Sequence, residues 1–397
     1  MEFILTIFIQ LTAKLLKFFY EVGMSFILSP NEYGLFSLYL SGAIIGAKII
    51  SLGAETYIVS NASLDDKKKR NLLTLSIVNS VIISIITILL FYFTKYSYLV
   101  LIVAIPLSLL YLYASYFRSQ LRVNLSVFIS EISWYLFSIL ICLLLFFLSY
   151  QNAKNFIFSA SISLILVVFV LSFIVYKKER VYKFRFDENI SHLKQTAPLI
   201  LTGFLSVFLS RMDILMLKGY VPDEDIGYYN IISKIATQLL FLYQVIIVFF
   251  IPRLSKVFNS LSKKEMAIKH AKLIFLSIVS VLLCYIFYLI FDFYYDVYHI
   301  FKIPRNNFEY VFNLIFIYQL VSVCLGYYGY FIIFIKCQKV EFLNVPLTLF
   351  IAFLLNSILI PKFGVLGATY ATAISVLFIN ILRVIEYHYL SYKLKSI

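Results

Sequence analysis

Lys14, Lys17, Lys48, Arg211 and Lys234 each interrupt a long apolar stretch of the chain. A charge inside a hydrocarbon layer is costly, so such residues ordinarily face an interior cavity or a partner rather than lipid. Their polar neighbours recur at helical spacing. Gln10, Lys14, Lys17 and Glu21 advance by four, three and four positions, which sets them along one helix face. Ser41, Lys48 and Glu55 are seven apart. Thr202, Ser206, Ser210 and Asp213 form a third stripe with Arg211 one position off it, and Asn230, Lys234 and Gln238 step by four. In a low-dielectric cleft, Lys and Arg hold phosphate or carboxylate through charge-assisted hydrogen bonds, while Ser, Asn and Gln suit hydroxyl groups. The expected substrate-binding residues are therefore Lys14, Lys17, Lys48, Arg211 and Lys234. Glu21, Glu55, Asp213, Asn230 and Gln238 are expected to line the same cavity or carry coupling. The competing account is structural, with Lys17–Glu21 and Arg211–Asp213 as internal ion pairs that hold helices together.

Other chemistry lacks residues. Cys142, Cys284, Cys324 and Cys337 have no paired spacing, and His192, His270, His299 and His388 are isolated in sequence, so neither a metal site nor a disulfide framework is expected. No Gly-rich phosphate loop, paired-Asp motif or Ser/His/Asp set appears, and no catalytic residue and no cofactor is expected. The longest outer connection, 292–307, holds Asp292, Asp296, His299, Lys302 and Arg305 but is too short for an enzyme's active-site domain. Glu131, among Ser130, Ser133 and Trp134, is expected to hydrogen-bond neighbouring helices. Gly42 and Gly46 give a small-xxx-small face for close helix packing, and Gly364 to Ala368 lets the last helix approach a neighbour.

The elements that must position these residues follow from composition. Hydrophobic residues make up 62% of the 397, while charged residues are 14%, about half the usual globular share. A soluble domain could not cover its surface with so few charges, and a disordered chain lacks such apolar content. The chain is expected to be an all-α polytopic membrane protein. Stretches of roughly 20 apolar residues suit a bilayer, and twelve occur, near 3–28, 34–58, 72–93, 97–117, 125–148, 156–176, 197–217, 228–251, 271–291, 308–335, 343–360 and 364–390. The first is too long for a signal peptide and is expected to be retained.

Basic residues orient the chain, since cytoplasmic loops carry the excess of Lys and Arg. With both termini inside, the inner loops hold clusters such as Lys67 to Arg70, Lys177 to Lys194 and Arg253 to Lys269. The outer loops hold only Lys95, Lys154, Lys218, Lys302, Arg305 and Lys362. The formal net charge of +14 is thus mostly a topology signal, and no nucleic acid partner is expected. Lys272 and Arg383 lie near cytoplasmic ends, where a long side chain can snorkel. An internal repeat divides the chain near its middle. Pro30-Asn31-Glu32-Tyr33-Gly34 follows the first helix and Pro222-Asp223-Glu224-Asp225-Ile226-Gly227 follows the seventh. The expected division is a six-helix lobe over 1–180, a cytoplasmic linker over 181–196 and a second lobe over 197–397, with the substrate site between lobes.

The stretch from Leu28-Ser29-Pro30-Asn31-Glu32-Tyr33-Gly34 through Leu52-Gly53-Ala54-Glu55 resembles the opening of bacterial polysaccharide flippases. These are the O-antigen (Wzx-type) transporters of the multidrug/oligosaccharidyl-lipid/polysaccharide (MOP) superfamily. The second half is similar to them at Ala197-Pro198, Arg211-Met212-Asp213, Gly227-Tyr228-Tyr229-Asn230, Ile251-Pro252-Arg253-Leu254-Ser255 and Phe363 to Thr372. The motifs are individually weak but occur in order along nearly the whole chain. The resemblance implies two six-helix lobes around a central, often cationic cavity. It also implies movement of an undecaprenyl-pyrophosphate-linked oligosaccharide between leaflets of the bacterial inner membrane, without catalysis. Implied partners are that lipid-linked substrate, membrane lipids, a polysaccharide polymerase and chain-length regulator proteins. Little chain precedes the first helix, a departure that leaves the depth of Lys14 and Lys17 open. Alternatives are a drug or cation antiporter of the same superfamily and, further off, a membrane enzyme of glycan assembly.

Overall fold

A computed structural model of the chain describes residues 2–61, 63–91, 97–177, 186–196, 199–257, 263–335 and 337–393. Outside these lie Ala197-Pro198 and the expected loop cations Lys95, Lys178, Arg180, Lys183, Arg185, Lys336 and Lys395. The side chains of Thr202, Ser206 and Arg253 are likewise outside the described set. A segment in lipid must satisfy its own backbone amides, and the apolar runs accordingly form helices. Among the described residues, eight helices are long and apolar enough to cross a membrane, nine if one bent pair counts as a single span.

Numbered as hydrophobic segments, α1 is Glu2–Ile27, α2 Pro30–Ser51, α3 Asp66–Phe91 and α4 Ser97–Ser119. α5 runs through Val123–Phe128, a π-helical turn at Ile129–Ser133, and Trp134–Phe147; α6 is Ala153–Tyr176. α7 comprises Ile200–Leu209 and Met212–Leu217, and α8 comprises Asp223–Gln238 and Phe241–Val257. α9 is Lys263–Tyr295, and α10 comprises Arg305–Leu325 and Tyr327–Phe334. The continuous run Gln338–Lys393 is two helices in conformation, because Gly364 at φ 55° and ψ −126° breaks it into α11 and α12. Twelve apolar helical segments therefore stand among the described residues, as the hydropathy pattern predicts. The chain is an all-α multi-pass membrane protein.

Local chemistry sets several boundaries. Ser29 caps α2 by accepting from the Glu32 amide at 3.4 Å, and Pro30 at the first position needs no amide donor there. Glu32 also accepts from the Ala153 amide at 2.5 Å, tying the start of α2 to the start of α6. α2 stops where Leu52 (φ 47°) and Gly53 (φ 71°) turn left-handed, and Ala54–Ser60 restarts as a separate short helix. The expected single helix over 34–58 is thus broken, and Glu55 reaches Lys48 from another element rather than along one face. Arg211 falls in the turn between the two parts of α7, so the expected Ser210–Asp213 stripe is not on one continuous helix.

The chain divides into two compact units, Met1–Leu215 and Met216–Ile397. In the first, the small face of α2 lies against α4. A Cβ on Gly46 would stand 3.2 Å from Ala104 Cβ, and one on Gly42 3.3 Å from a Val100 methyl. Tyr20 and Trp134 sit fully buried at its centre with ring centroids 5.7 Å apart. In the second, Tyr327, Phe331, Ile251, Leu254 and Leu273 form a core cluster. At Gly367 an added Cβ would meet Leu359 O at 2.1 Å, so the neighbour that α12 approaches is the end of α11. Many large apolar side chains point outward, among them Phe169, Phe275, Phe287 and Phe293. Contiguous apolar surface of that kind suits lipid rather than water.

Candidate functional site

Ionisable side chains gather inside the first unit. Arg211, 8% exposed, reaches from the α7 break to Glu21 on α1, 2% exposed, with Nη2 donating to Oε1 at 3.2 Å. Its Nη1 lies 3.5 Å from Ser41 Oγ on α2. The break is what allows this. Arg211 N donates to Phe208 O at 3.1 Å in a turn, which frees the side chain from the helix face that Asp213 continues. Asp213 turns back to accept from the Ile214 amide at 2.8 Å. The acid that Arg211 meets by salt bridge is therefore Glu21, 190 positions away in sequence, and not the expected neighbour Asp213. Tyr33 holds the same turn of α1 by donating to Glu21 O at 2.9 Å.

A second pair lies further along α2. Lys48 Nζ donates to Glu55 Oε2 at 2.5 Å, Ser51 Oγ donates to Glu55 Oε1 at 3.0 Å, and both charged side chains are 18% exposed. Lys48 also stands over the Tyr111 ring of α4, 4.2 Å from its centroid, a cation–π contact. Two full charges engaged by partners, hydroxyls and a ring face are what a dry interior demands of them.

Lys14, Lys17 and Glu131 complete this region. Lys14 is exposed and Lys17 half-buried on α1. Glu131 acts electrostatically on Lys14 from the π-helical turn of α5. Such turns insert one residue into a helix and redirect a side chain, and they are frequent at functional positions. Lys234, Asn230 and Gln238 lie in the second unit on α8. Asn230 is buried, Lys234 and Gln238 half-buried, and the helix bends by 47° beyond Gln238. The structure thus brings Arg211, Glu21 and Ser41 together, and Lys48, Ser51 and Glu55 together.

Two further groupings escaped sequence reasoning. Arg383, expected to snorkel from the end of α12, instead bridges to Glu341 on α11 through Nε at 3.1 Å and through Nη2. Lys272 is exposed, but α9 begins at Lys263, so it stands more than two turns inside the helix rather than at its end. His192, on the connecting helix Phe186–Thr196, is buried against α3, between Ser76 at 3.1 Å and Asn79 at 3.2 Å. Ser76 donates to Leu72 O, so His192 Nε2–H donates to Ser76 while Nδ1 accepts from Asn79. Burial pushes this imidazole down to about 4, which keeps it neutral. No spacing in the sequence signals these contacts, because their partners lie 42 to 116 positions apart.

The outer connection before α10 is knit internally. Arg305 meets Asp292 at 2.9 Å, Asp296 at 3.5 Å and Glu309 at 3.3 Å, and Asp292 also accepts from the Val297 amide at 2.9 Å. These acids hold a turn. Among the described residues, no group of three His, Cys, Asp or Glu is arranged to hold a metal.

Comparison with known proteins places this architecture. A family described as "Polysaccharide biosynthesis protein" matches residues 2–258. No curated protein matches the chain. Among solved structures, the chain is similar to the lipid II flippase MurJ in an inward closed conformation, at 18% identity and a TM-score of 0.68, over 96% of this chain and 87% of that one. It is also similar to the inward-facing conformation of a multidrug resistance MATE family transporter of the MOP superfamily, at 11% identity and a TM-score of 0.67, over 97% and 96%. The outward-facing conformation of a MATE family transporter aligns at 11% identity and a TM-score of 0.63, over 99% and 95%. At these identities the likeness is one of fold, the helical plan of the MOP superfamily.

Proposed function

The chain belongs to the polysaccharide biosynthesis protein family, and from that premise we propose that it is a flippase for an undecaprenyl-pyrophosphate-linked oligosaccharide. The cargo would be the repeat unit of an O-antigen or another surface polysaccharide. Movement would run from the cytoplasmic to the periplasmic leaflet of a bacterial inner membrane, by alternating access and without chemical change to the substrate. Both termini would then be cytoplasmic, and a polymerase and chain-length regulators would act on the delivered product.

The observation that carries this reading is the placement of cations on otherwise apolar segments, with Arg211 and Lys48 drawn into the first unit. Lys14, Lys17, Lys48 and Arg211 stand on α1, α2 and α7 of one unit, and Lys234 stands on α8. A pyrophosphate carries several negative charges into a low-dielectric region, and fixed cations replace the hydration it loses. Arg211 and Lys48 are held by Glu21 and Glu55. An incoming anion would compete for them, and releasing the carboxylates would couple binding to helix movement. A drug or cation antiporter needs an acid available to a cation, and the engagement of Glu21 and Glu55 by Arg211 and Lys48 weighs against that alternative.

Deletion of the gene tests the proposal. The expected result is loss of a surface glycan together with accumulation of its lipid-linked precursor on the cytoplasmic side. Unchanged glycan and precursor, with altered drug tolerance, would replace it with the antiporter reading.

A further inference from the structure

The second unit carries a half-open cavity of about 390 Å³ that none of the residues discussed above as substrate cations lines. Its wall is built from α8, α10, α11 and α12. That volume is typical of a site for a small organic molecule and far exceeds what a bare ion needs. Two glycines let side chains of the wall pack directly on the α10 backbone. A Cβ on Gly326, at the break in α10, would stand 2.9 Å from Tyr243 Oη, and one on Gly329 would stand 3.2 Å from Arg383 Nε.

The wall's chemistry is specific. Gln319 is 6% exposed, and its Nε2 donates to Thr237 Oγ1 at 3.3 Å while its Oε1 has no hydrogen-bond partner. A buried acceptor left open costs free energy until a donor meets it. The Glu341–Arg383 pair also faces the cavity, with Arg383 Nη1 3.4 Å from Asn380 Oδ1. Its charges cancel, so the wall has hydrogen-bonding capacity without net attraction for a cation or an anion. Tyr243 and Tyr330 add aromatic surface.

An open amide acceptor, a neutralised ion pair and tyrosine rings together match one ligand class. A pyranose has hydroxyls that both donate and accept, and C–H faces that pack on aromatic rings. We infer that this cavity binds a sugar ring of the transported glycan, apart from the site that holds its anionic head group. The inference rests on the glycan-export reading and deepens it. Gln319 receives a sugar hydroxyl, Tyr243 and Tyr330 cover the ring, and the Glu341–Arg383 pair sets which hydroxyl pattern fits.

The test uses the purified full-length chain in detergent and saturation-transfer NMR with free hexoses, N-acetylhexosamines and 6-deoxyhexoses. Mannitol is the acyclic control, and sodium and potassium chloride are separate arms read by thermal unfolding. At least one pyranose is expected to bind the unaltered chain. Gln319→Leu removes the open acceptor and Tyr330→Leu removes ring surface, and each is expected to weaken that binding roughly tenfold while melting near the parent temperature. Absence of pyranose binding to the unaltered chain overturns the inference. So does binding unchanged in both variants, or stabilisation by sodium alone that Glu341→Gln abolishes. The export reading fails separately. If sugar binds but gene deletion leaves lipid-linked precursor unchanged, the cavity stands and the flippase proposal falls.

Discussion

Replacing Arg211 by Ala leaves the Glu21 carboxyl 2% exposed with its guanidinium partner gone. Removing one member of a buried pair is strongly destabilising, by about 3–5 kcal/mol, because the remaining charge stays desolvated. For a folding unit of 150–250 residues, 1 kcal/mol moves the melting temperature by about 2–4 °C. The unit Met1–Leu215 is of that size, so Arg211→Ala should melt about 6–20 °C lower. The double variant Glu21→Gln with Arg211→Gln removes both charges and should recover most of that loss. Thermal unfolding of purified protein, with membrane abundance measured in parallel, reads both numbers. An Arg211→Ala protein that melts within about 2 °C of the parent would refute the buried-pair reasoning. Glycan display then separates the roles. A double variant that is abundant yet displays no glycan places the cation in transport, and one that displays normally leaves the pair a structural tie.

Acid should loosen the connecting helix Phe186–Thr196. His192 titrates near 4 when folded against 6.5 for the unfolded side chain, so its contribution is complete above pH 6.5 and is lost as pH falls toward 4. Discounted for residual solvation, the loss is on the order of 2 kcal/mol, and His192→Asn should flatten the melting-temperature profile over that range. Gly46→Leu drives a side chain into Ala104 and should cost about 1–3 kcal/mol by overpacking, measured by denaturation, whereas Gly23→Ala, where an added Cβ meets nothing within 4 Å, should leave packing intact. Impermeant maleimide added outside intact cells should label Gln151→Cys and spare Ser63→Cys in a cysteine-free chain, and the reverse pattern would invert the topology.

Hydropathy alone made the membrane segments legible, since a 20-residue apolar run leaves the backbone little choice but a helix. Gly42 and Gly46 were legible for the same kind of reason, as small residues at one-turn spacing announce a close neighbour. Partner choice was not. Arg211 sits two positions from Asp213, yet it meets Glu21, 190 positions away, because the α7 break turns its side chain toward α1. Lys48 and Glu55 appeared to share a helix face, but a left-handed pair at Leu52 and Gly53 separates them, and they meet all the same across the corner. Arg383 looked like a snorkelling helix-end cation and instead pairs with Glu341, 42 positions earlier. A polar stripe shows that a face avoids lipid. Which group it faces is decided by how the helices break and pack.

The most direct measurement is transport by the purified chain reconstituted in sealed vesicles, with a fluorescent polyprenyl-pyrophosphate-linked oligosaccharide supplied in one leaflet. Arrival in the opposite leaflet is read by an impermeant lectin or quencher. The proposal expects movement well above protein-free vesicles, reduced roughly ten- to a hundredfold in Lys48→Ala, the scale of losing one charge-assisted contact in a dry site. Oligosaccharide that stays in its original leaflet, with the chain folded and inserted, would contradict the flippase proposal.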